Sequence, residues 1–377
     1  MTDIALAASP IATPLAAWLA SAEHQPEMAP YHGVLTPVEL DAPREETAAL
    51  ASGAGLHDLG WLRRIRVRGE DRFRWLSGMV TNDVNDLGAN TGSWNLVLNA
   101  QGRIQGDVTV WREPKPRPDS AGSEEIPDRL ELMIAADQYE RLVAHLEKFI
   151  IMDDVELAPL DGRTALGLTG PKAGEVLGRL GLPTLNEANS QLRCEWNGMN
   201  LRIRRGFGVT AEHYELWTPV ALVAKLWKFL LAGGATRVGS AAVEAFRIAE
   251  GIPAYGSDIL ERDLPQETSQ MRALSFTKGC YLGQEIVERI RSRGSVHKHL
   301  RHVELDGPLP APGAELKLDG ADAGRITSAA ELELPAGVRR FALAMMRAEA
   351  EARGEAFTYA AGGSGCSARL LAGKPIF

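Results

Sequence analysis

The chain has 377 residues, of which 45% are hydrophobic and 24% are charged, and its formal net charge is −8. This length predicts two or three domains, and the composition is that of an ordinary globular protein. The negative charge argues against general nucleic-acid binding, which needs clustered basic charge, so no nucleic-acid partner is expected.

The cysteines and the N-terminus indicate the cellular compartment. The chain has three widely separated cysteines: Cys194, Cys280 and Cys366. No Cys-x-x-Cys pair occurs, so a self-contained iron–sulfur cluster or a Cys-rich zinc site is not expected, and we predict no metal. A sparse, odd count fits a reducing cytoplasm. Pro10 and Pro14 interrupt the first apolar runs, so neither a signal peptide nor a membrane span is predicted.

The first part of the chain mixes strands and helices. Residues 1–30 are predicted to form a loose N-terminal extension with a short helix at 15–22. Alternation and turn signals predict strands at 63–67, 94–99, 104–111 and 166–168. Helical spacing predicts helices at 71–79, 136–149, 171–180, 220–231 and 240–250. The segment 114–127, rich in Pro, Ser and Glu, is predicted to be an exposed loop.

After residue 300 the pattern changes to short strands separated by Gly and Pro. The predicted strands are 300–305, 315–318, 324–327, 341–345, 356–359 and 367–371. Such a series predicts a small β-barrel over residues 300–377. The change in pattern near 296–301 is the best domain boundary, so residues 31–296 form the preceding region.

Two glycine-containing segments suggest ligand sites. Lys278-Gly279-Cys280-Tyr281-Leu282-Gly283-Gln284-Glu285 combines a lysine, a thiol, an amide and a carboxylate in a segment that can turn tightly. An ammonium beside a thiol favours the thiolate, although a core cysteine in an ordinary turn is the simpler alternative. Residues 206–211 fit a loose dinucleotide fingerprint, but the segment after them reads as a strand rather than a helix, which argues against nucleotide binding.

These segments carry a family resemblance. The 278–285 octapeptide resembles the signature of YgfZ-type folate-binding proteins, which are relatives of the glycine-cleavage T-protein, an aminomethyltransferase. Further blocks resemble the same superfamily and follow its order: Gly55-Leu56-His57-Asp58, Thr81-Asn82-Asp83-Val84, residues 167–173, residues 247–256 and residues 324–328. The resemblance implies an α+β fold, with two interleaved α/β subdomains forming a folate-binding region beside a small C-terminal antiparallel β-barrel. It also implies tetrahydrofolate or a one-carbon derivative as cofactor.

The resemblance also assigns site residues. Glu215 falls on the glutamate that grips the pterin, and a carboxylate can accept two hydrogen bonds from an aminopyrimidinone edge. Asp107 and Trp94 match positions near the ligand. Asp107 would hold or transfer a proton, and Trp94 would stack on the pterin ring. Arg247 matches a family arginine, which would either anchor an anionic group or pair with Glu250. The alternatives are a solvent-facing Glu215 and Asp107, and a Trp94 that only packs in the core.

The functional implication is support for assembly or repair of iron–sulfur enzymes, with reduced folate and those enzymes or their assembly proteins as partners. Cys280 would be the functional thiol, tuned by Lys278, while Gln284 and Glu285 shape the loop. The alternatives are a glycine-cleavage aminomethyltransferase, a folate-dependent demethylase and a scaffold without chemistry. Gly106 replaces one of the T-protein's paired aspartates, which weakens the first alternative. Whether the protein is an enzyme stays open.

Overall fold

The computed structural model describes residues 10–21, 25–113, 128–294, 296–334, 337–354 and 356–371. The loop predicted at 114–127 lies outside the described residues. Among those that are described, no helix is both long enough and apolar enough to cross a membrane.

Strands make up most of the described regular structure. In chain order they are β1 (Met28–Tyr31), β2 (Val34–Pro37), β3 (Gly55–Asp58), β4 (Leu62–Arg68), β5 (Gly92–Leu98), β6 (Ile104–Glu113), β7 (Arg129–Ala135), β8 (Glu156–Pro159), β9 (Arg163–Thr169), β10 (Ser190–Trp196), β11 (Met199–Arg205), β12 (His213–Pro219), β13 (Thr236–Arg237), β14 (Lys298–Asp306), β15 (Glu315–Leu318), β16 (Ala321–Leu334), β17 (Gly337–Arg347), β18 (Ala356–Ala361) and β19 (Ser364–Leu370).

The helices connect and cover these strands. They are α1 (Pro14–Ala20), α2 (Pro43–Ser52), α3 (Arg72–Met79), α4 (Ala136–Glu147), α5 (Ala173–Arg179), α6 (Val223–Ala232), α7 (Ser240–Ala249), α8 (Gln284–Arg293) and α9 (Ala348–Glu351). Short 3₁₀ turns lie at Val220–Leu222, Pro265–Thr268 and Met271–Ala273.

The first region contains two large sheets besides the two-stranded sheet β1-β2, and the chain passes from one large sheet to the other and back. The six-stranded sheet has the order β10-β11-β12-β9-β3-β13, and the five-stranded sheet has the order β5-β6-β7-β4-β8. In the former, Gly55 of β3 pairs with Thr169 of β9, while the whole five-stranded sheet is built from the chain between them. The predicted interleaving of two α/β subdomains is therefore confirmed.

The C-terminal strands close into a barrel with the order β14-β17-β16-β15-β18-β19. The pairs are antiparallel throughout. Each of the six predicted strands is present, several of them longer than predicted, so the predicted fold class is confirmed. The barrel packs against α2 and α7 through a shared apolar core that includes Phe246, Leu332 and Phe341. This contact fixes α7, which carries Arg247, against the rest of the molecule.

Helix α1 belongs to the packed body of the protein. Thr13 caps it, because its Oγ1 accepts a hydrogen bond of 3.0 Å from the Ala16 amide. Leu15 and Ala16 are fully buried, and Leu15 joins the core of the six-stranded sheet. The loose packing expected of the first 30 residues is thus wrong for this helix, because its apolar face covers that core.

Candidate functional site

A cavity of about 300 Å³ lies where the two sheets and α7 meet. Its lining includes the four predicted ligand residues: Trp94, Asp107, Glu215 and Arg247. They come from the consecutive strands β5 and β6 and from β12 and α7, which follow much later in the chain. The interleaved fold therefore brings together side chains that the sequence analysis could only place one at a time.

Glu215 is a buried carboxylate in the cavity wall, 4% exposed. The indole Nε1 of Trp217 donates a 2.9 Å hydrogen bond to one of its oxygens. Burial raises the pKa of Glu215, and the nearby Arg204 guanidinium opposes that shift. The solvent-facing alternative is wrong for this residue.

Asp107 is held from two sides. The Trp94 Nε1 donates to one carboxylate oxygen at 2.7 Å, and the Gln138 Nε2 donates to the other at 2.8 Å. The Asp107 amide in turn donates to the Gln138 Oε1 at 3.1 Å. A Cβ added at Gly106 would lie 2.9 Å from that Oε1. Gln138 therefore fills the space next to Gly106 and fixes the position of the Asp107 carboxylate.

Trp94 lies under a cation as well as in the cavity wall. The Arg272 guanidinium carbon lies 4.3 Å from the Trp94 ring centroid and 3.7 Å from that of Phe207. Burial lowers the pKa of Arg272 to about 10, against the attraction of Asp107. A flat ligand stacking on that face of Trp94 would have to displace this guanidinium. The sequence analysis missed Arg272 and Gln138, which no quoted motif contains.

Arg247 pairs with acidic residues other than Glu250. Its guanidinium donates to Glu244 at 2.7 Å through Nε and to Asp258 at 2.7 Å. Burial opposes ionisation, but the hydrogen bonds and charges of Glu244 and Asp258 raise the pKa of Arg247 above its usual value. Asp258 also accepts 2.6 Å hydrogen bonds from Thr327 and Ser328 in the barrel. Arg247 therefore connects the cavity to the barrel, and its proposed pairing with Glu250 is wrong.

Glu250 instead holds the loop at residues 206–211. Its carboxylate accepts hydrogen bonds from the amides of Val209 (3.2 Å), Thr210 (2.7 Å) and Ala211 (3.0 Å). The strand expected after this loop is present as β12, which bears out the rejection of the dinucleotide fingerprint. The loop is therefore held by Glu250, the residue that directly follows α7.

Two histidines form an unexpected part of the cavity wall. Thr169 Oγ1 lies 2.9 Å from Nε2 of His57 and 2.8 Å from Nδ1 of His213. Burial, assisted by repulsion from His213, lowers the pKa of His57 to about 3. Burial likewise lowers the pKa of His213 to about 4, against the charge of Glu250. Both imidazoles are therefore neutral at physiological pH. The sequence contained a signal for His57, which lies in one of the blocks that resemble the family.

The Lys278 side chain has a structural position. Its ammonium donates to the carbonyl oxygens of Ser77 (2.5 Å), Val80 (2.7 Å) and Asn82 (2.6 Å). It thus caps the C-terminal end of α3, where carbonyls have no partner within the helix. Burial lowers the pKa of Lys278 to about 8, against the attraction of Asp83. The ammonium is directed at this helix end, which gives no support to its predicted tuning of Cys280.

The glycines of the 278–285 motif differ in what they require. Gly283 has a φ of +82°, and a Cβ there would lie 2.6 Å from the Asn99 carbonyl oxygen. The opposing Gly102 has a φ of +69° and faces Ile286. These two turns pack back to back, so both positions need glycine. A Cβ at Gly279 would meet no atom of the described residues within 4 Å.

The remaining motif residues flank the start of α8, a helix that the sequence analysis did not predict. Cys280 is exposed and is not among the residues that line the cavity. The Gln284 side chain accepts a 3.3 Å hydrogen bond from the Tyr281 amide, whereas Glu285 points outward and pairs with Arg289 at 2.6 Å. Gln284 therefore shapes the turn and Glu285 does not. No group of three or more His, Cys, Asp or Glu side chains within the described residues is arranged to hold a metal ion.

Comparison with known proteins gives this architecture a class. A crystal structure of the glycine cleavage system aminomethyltransferase T from Bartonella henselae superposes with a TM-score of 0.80, at 20% identity over 97% of both chains. The fold is therefore that of the aminomethyltransferases. The family model of the GCVT N-terminal domain matches residues 15–278, and the chain belongs to this family.

Relatives of this chain agree with that assignment. An aminomethyltransferase of Geobacillus kaustophilus is 26% identical over 330 residues, covering 84% of this chain and 86% of the relative. One of Thermoanaerobacter pseudethanolicus is 23% identical over 306 residues, covering 79% and 80%. A chloroplastic Arabidopsis thaliana protein that is named a transferase is 27% identical over 294 residues, covering 77% of this chain and 65% of that protein.

Proposed function

We propose that the protein binds a reduced folate in the central cavity and supports the assembly or repair of iron–sulfur enzymes in the cytoplasm. The observation that carries the folate site is the convergence of Trp94, Asp107 and Glu215 on one cavity of about 300 Å³. A volume of this size suits a small organic ligand. The iron–sulfur role rests on the resemblance of residues 278–285 and on the exposure of Cys280.

The chemistry of the lining suits a pterin. Glu215 is a buried carboxylate with one oxygen bonded to Trp217, so a donor edge of the ligand would supply the hydrogen bonds that burial otherwise denies it. Asp107 is held in place by Trp94 and Gln138. We assign it as the acidic group that lies beside the reactive nitrogens of the folate. The ring of Trp94 suits a flat ligand that displaces the Arg272 guanidinium from it.

The same geometry argues against full aminomethyl transfer. Of the two aspartates paired in the T-protein, only the one at Asp107 is present, because Gly106 occupies the position of the other, and the space beside Gly106 is filled by Gln138. We therefore expect little transfer of an aminomethyl group from a lipoyl carrier protein to tetrahydrofolate. The names of the bacterial relatives favour the alternative of an aminomethyltransferase. Robust turnover in a reconstituted glycine-cleavage assay would establish that alternative, and turnover of a methylated amine would establish a demethylase.

Tetrahydrofolate is expected to bind and to raise the melting temperature, because a ligand selective for the native state stabilises it. Replacing Glu215 by glutamine keeps the side-chain shape but removes the charge and one acceptor. Glu215→Gln should weaken binding by about 1–3 kcal/mol, which is roughly 5- to 150-fold in Kd. Isothermal titration calorimetry with tetrahydrofolate under anaerobic conditions measures this change.

Glu212→Gln is the matched control for Glu215. Glu212 lies three positions earlier, pairs with Arg205 at 3.2 Å and does not line the cavity. Its replacement should leave the folate Kd unchanged. Equal affinity in Glu215→Gln and the unaltered protein would remove Glu215 from the ligand site.

Cys280 is expected to be the fastest of the three thiols to alkylate at neutral pH. It is exposed, whereas Cys194 is half-buried and burial raises the pKa of its thiol. Cys280→Ser should change the free energy of unfolding by less than about 0.5 kcal/mol. Folate binding should persist, because Cys280 lies outside the cavity, while iron–sulfur enzyme activity in complemented cells should fall.

Mass spectrometry of iodoacetamide-treated protein gives the three alkylation rates in one experiment. Cys194→Ser serves as the comparison variant and should complement fully. Full complementation by Cys280→Ser, with Cys280 the slowest thiol, would make this cysteine structural.

A further inference from the structure

A second cavity, of about 400 Å³, lies away from the folate cavity and shares no lining residue with it. We name it the arginine pocket, because five of the residues that line it are arginines: Arg64, Arg66, Arg163, Arg193 and Arg202. One acidic residue, Asp161, belongs to the lining. Such a concentration of cations is unexpected in a chain whose formal net charge is −8.

Strand geometry produces this concentration. Side chains two positions apart on a strand share one face, so the sequence Arg64-Ile65-Arg66 of β4 directs both arginines to the same side. On the other sheet, Arg193 of β10 is the direct cross-strand neighbour of Arg202 in β11. Like charges in that arrangement repel each other, so the pair is unfavourable without nearby anions.

The acidic residues at the pocket offset only part of this charge. Glu113 pairs with Arg193 at 2.6 Å and also with Arg202, and Glu131 pairs with Arg202 at 2.9 Å and with Arg64 at 3.3 Å. Both glutamates are buried, 3% and 0% exposed, and each is shared among several arginines. The pocket therefore keeps an excess of positive charge.

Two of the arginines have unused donors. Arg64 is 7% exposed, and its Nε is buried without a hydrogen-bond partner. The Nε of Arg66 is also buried without a partner, and Arg66 has no ion pair or hydrogen bond within the described residues. Within the part of the chain that the structure describes, Arg163 donates to the backbone carbonyls of Trp217 (3.2 Å) and Asn200 (2.9 Å) and to no carboxylate. A buried donor without an acceptor is unfavourable in the free protein.

The electrostatics agree with this geometry. Burial lowers the pKa of Arg66 and the neighbouring Arg129 adds to the shift, while the charges of Glu113 and Glu131 oppose it. Burial lowers the pKa of Arg163 in the same way, assisted by Arg202 and Arg193. A bound anion would relieve both the repulsion and the unmet hydrogen bonds. Guanidinium groups bind carboxylates and phosphates through paired N–H donors.

We propose that the arginine pocket binds a small organic polyanion that carries two or more carboxylate or phosphate groups. The volume of about 400 Å³ lies in the range of small-molecule sites, and several separate guanidinium groups line it. A ligand with more than one anionic group can therefore contact several of these guanidinium groups at once. This site is independent of the proposed folate function.

The test uses calorimetric titration of the full-length protein with two probes, pyrophosphate and tricarballylate. At least one should bind, and the Kd should rise with NaCl concentration because the site is electrostatic. The stronger probe identifies the phosphate or carboxylate class. Arg66→Gln and Arg163→Gln should each weaken binding by at least about fivefold. Arg68→Gln is the matched control, because Arg68 lies on the same strand face, is 56% exposed and does not line the pocket.

A second readout distinguishes a binding residue from a structural one. Because Arg66 lacks a partner, Arg66→Gln should raise the melting temperature of the ligand-free protein while losing the stabilisation by the probe. Binding should also persist in Glu215→Gln. Failure of both probes to bind, equal binding in Arg66→Gln and Arg163→Gln, or a lower ligand-free melting temperature in Arg66→Gln would each overturn the proposal.

Discussion

Replacing Glu131 by glutamine is expected to lower the free energy of unfolding by about 3–5 kcal/mol, the range for removing one partner of a buried ion pair. Glu131 is fully buried and contacts Arg204 at 2.6 Å, Arg202 at 2.9 Å and Arg64 at 3.3 Å. Burial opposes its ionisation, but the three guanidinium groups hold the pKa of Glu131 well below its usual range. Glutamine would leave these cations between the two sheets with much less compensation. Urea unfolding followed by circular dichroism measures the change.

The control for Glu131 is the exposed glutamate at the edge of the same sheet. Glu156 pairs with Arg68 at 3.6 Å, and both side chains are more than half exposed. Glu156→Gln should change the free energy of unfolding by less than about 0.5 kcal/mol. The double variant Glu131→Gln with Arg204→Gln should cost less than the sum of the two single changes, because one charge no longer faces the other. Additive costs would contradict a coupled network.

Lys278→Met is expected to destabilise the protein by at least about 2 kcal/mol, since each buried acceptor left without a donor costs about 1–3 kcal/mol. The ammonium of Lys278 donates hydrogen bonds to the carbonyls of Ser77, Val80 and Asn82. Methionine fills a similar volume but has no donor. The same urea titration measures the loss. The rate of Cys280 alkylation in this variant separates the structural role from the predicted tuning of the thiol.

Gly279→Ala is the matched control within the motif. A Cβ at this position would meet no atom of the described residues, and the φ of Gly279 is not positive, so the stability should change by less than about 0.5 kcal/mol. An unchanged free energy of unfolding in Lys278→Met, combined with slower alkylation of Cys280, would favour the tuning role.

The elements that were predicted correctly are those whose signal is local. Strands β15 and β18 of the barrel alternate in burial, and Glu315–Leu318 was predicted with its observed bounds. Helix α4 has apolar residues at helical spacing, and its observed range lies within the predicted 136–149. For such elements, one buried face is enough to reveal the period in the sequence.

The missed elements have a weaker signal. Strand β10 has one buried residue, Gln191, because it forms the edge of its sheet. Helix α8 begins directly after Gly283. The glycines of the motif suggested a turn, and this obscured the start of the helix. Its apolar positions, Ile286, Val287 and Ile290, were present but are surrounded by charged residues.

The candidate site was predicted in part, and only with the help of the family resemblance. That Trp94, Asp107, Glu215 and Arg247 share a cavity depends on sheet order, which no local pattern contains. The partners that hold these residues, such as Gln138 and Asp258, come from distant segments without a motif of their own. Sequence proximity to Cys280 did not reveal the partners of Lys278, which are the carbonyls of Ser77, Val80 and Asn82.

The interleaved sheets also determine how the chain can fold during synthesis. Strand β3 ends at Asp58, and its partner β9 begins at Arg163, so residues 59–162 must be translated between them. At a rate of roughly 5–20 residues per second, β3 leaves the ribosome roughly 5–20 s before its partner. Strands β4–β8 can pair during this interval, while Leu56, fully buried in the finished protein, has no sheet to join. The nascent chain therefore carries β3 as an unpaired strand until the six-stranded sheet can close.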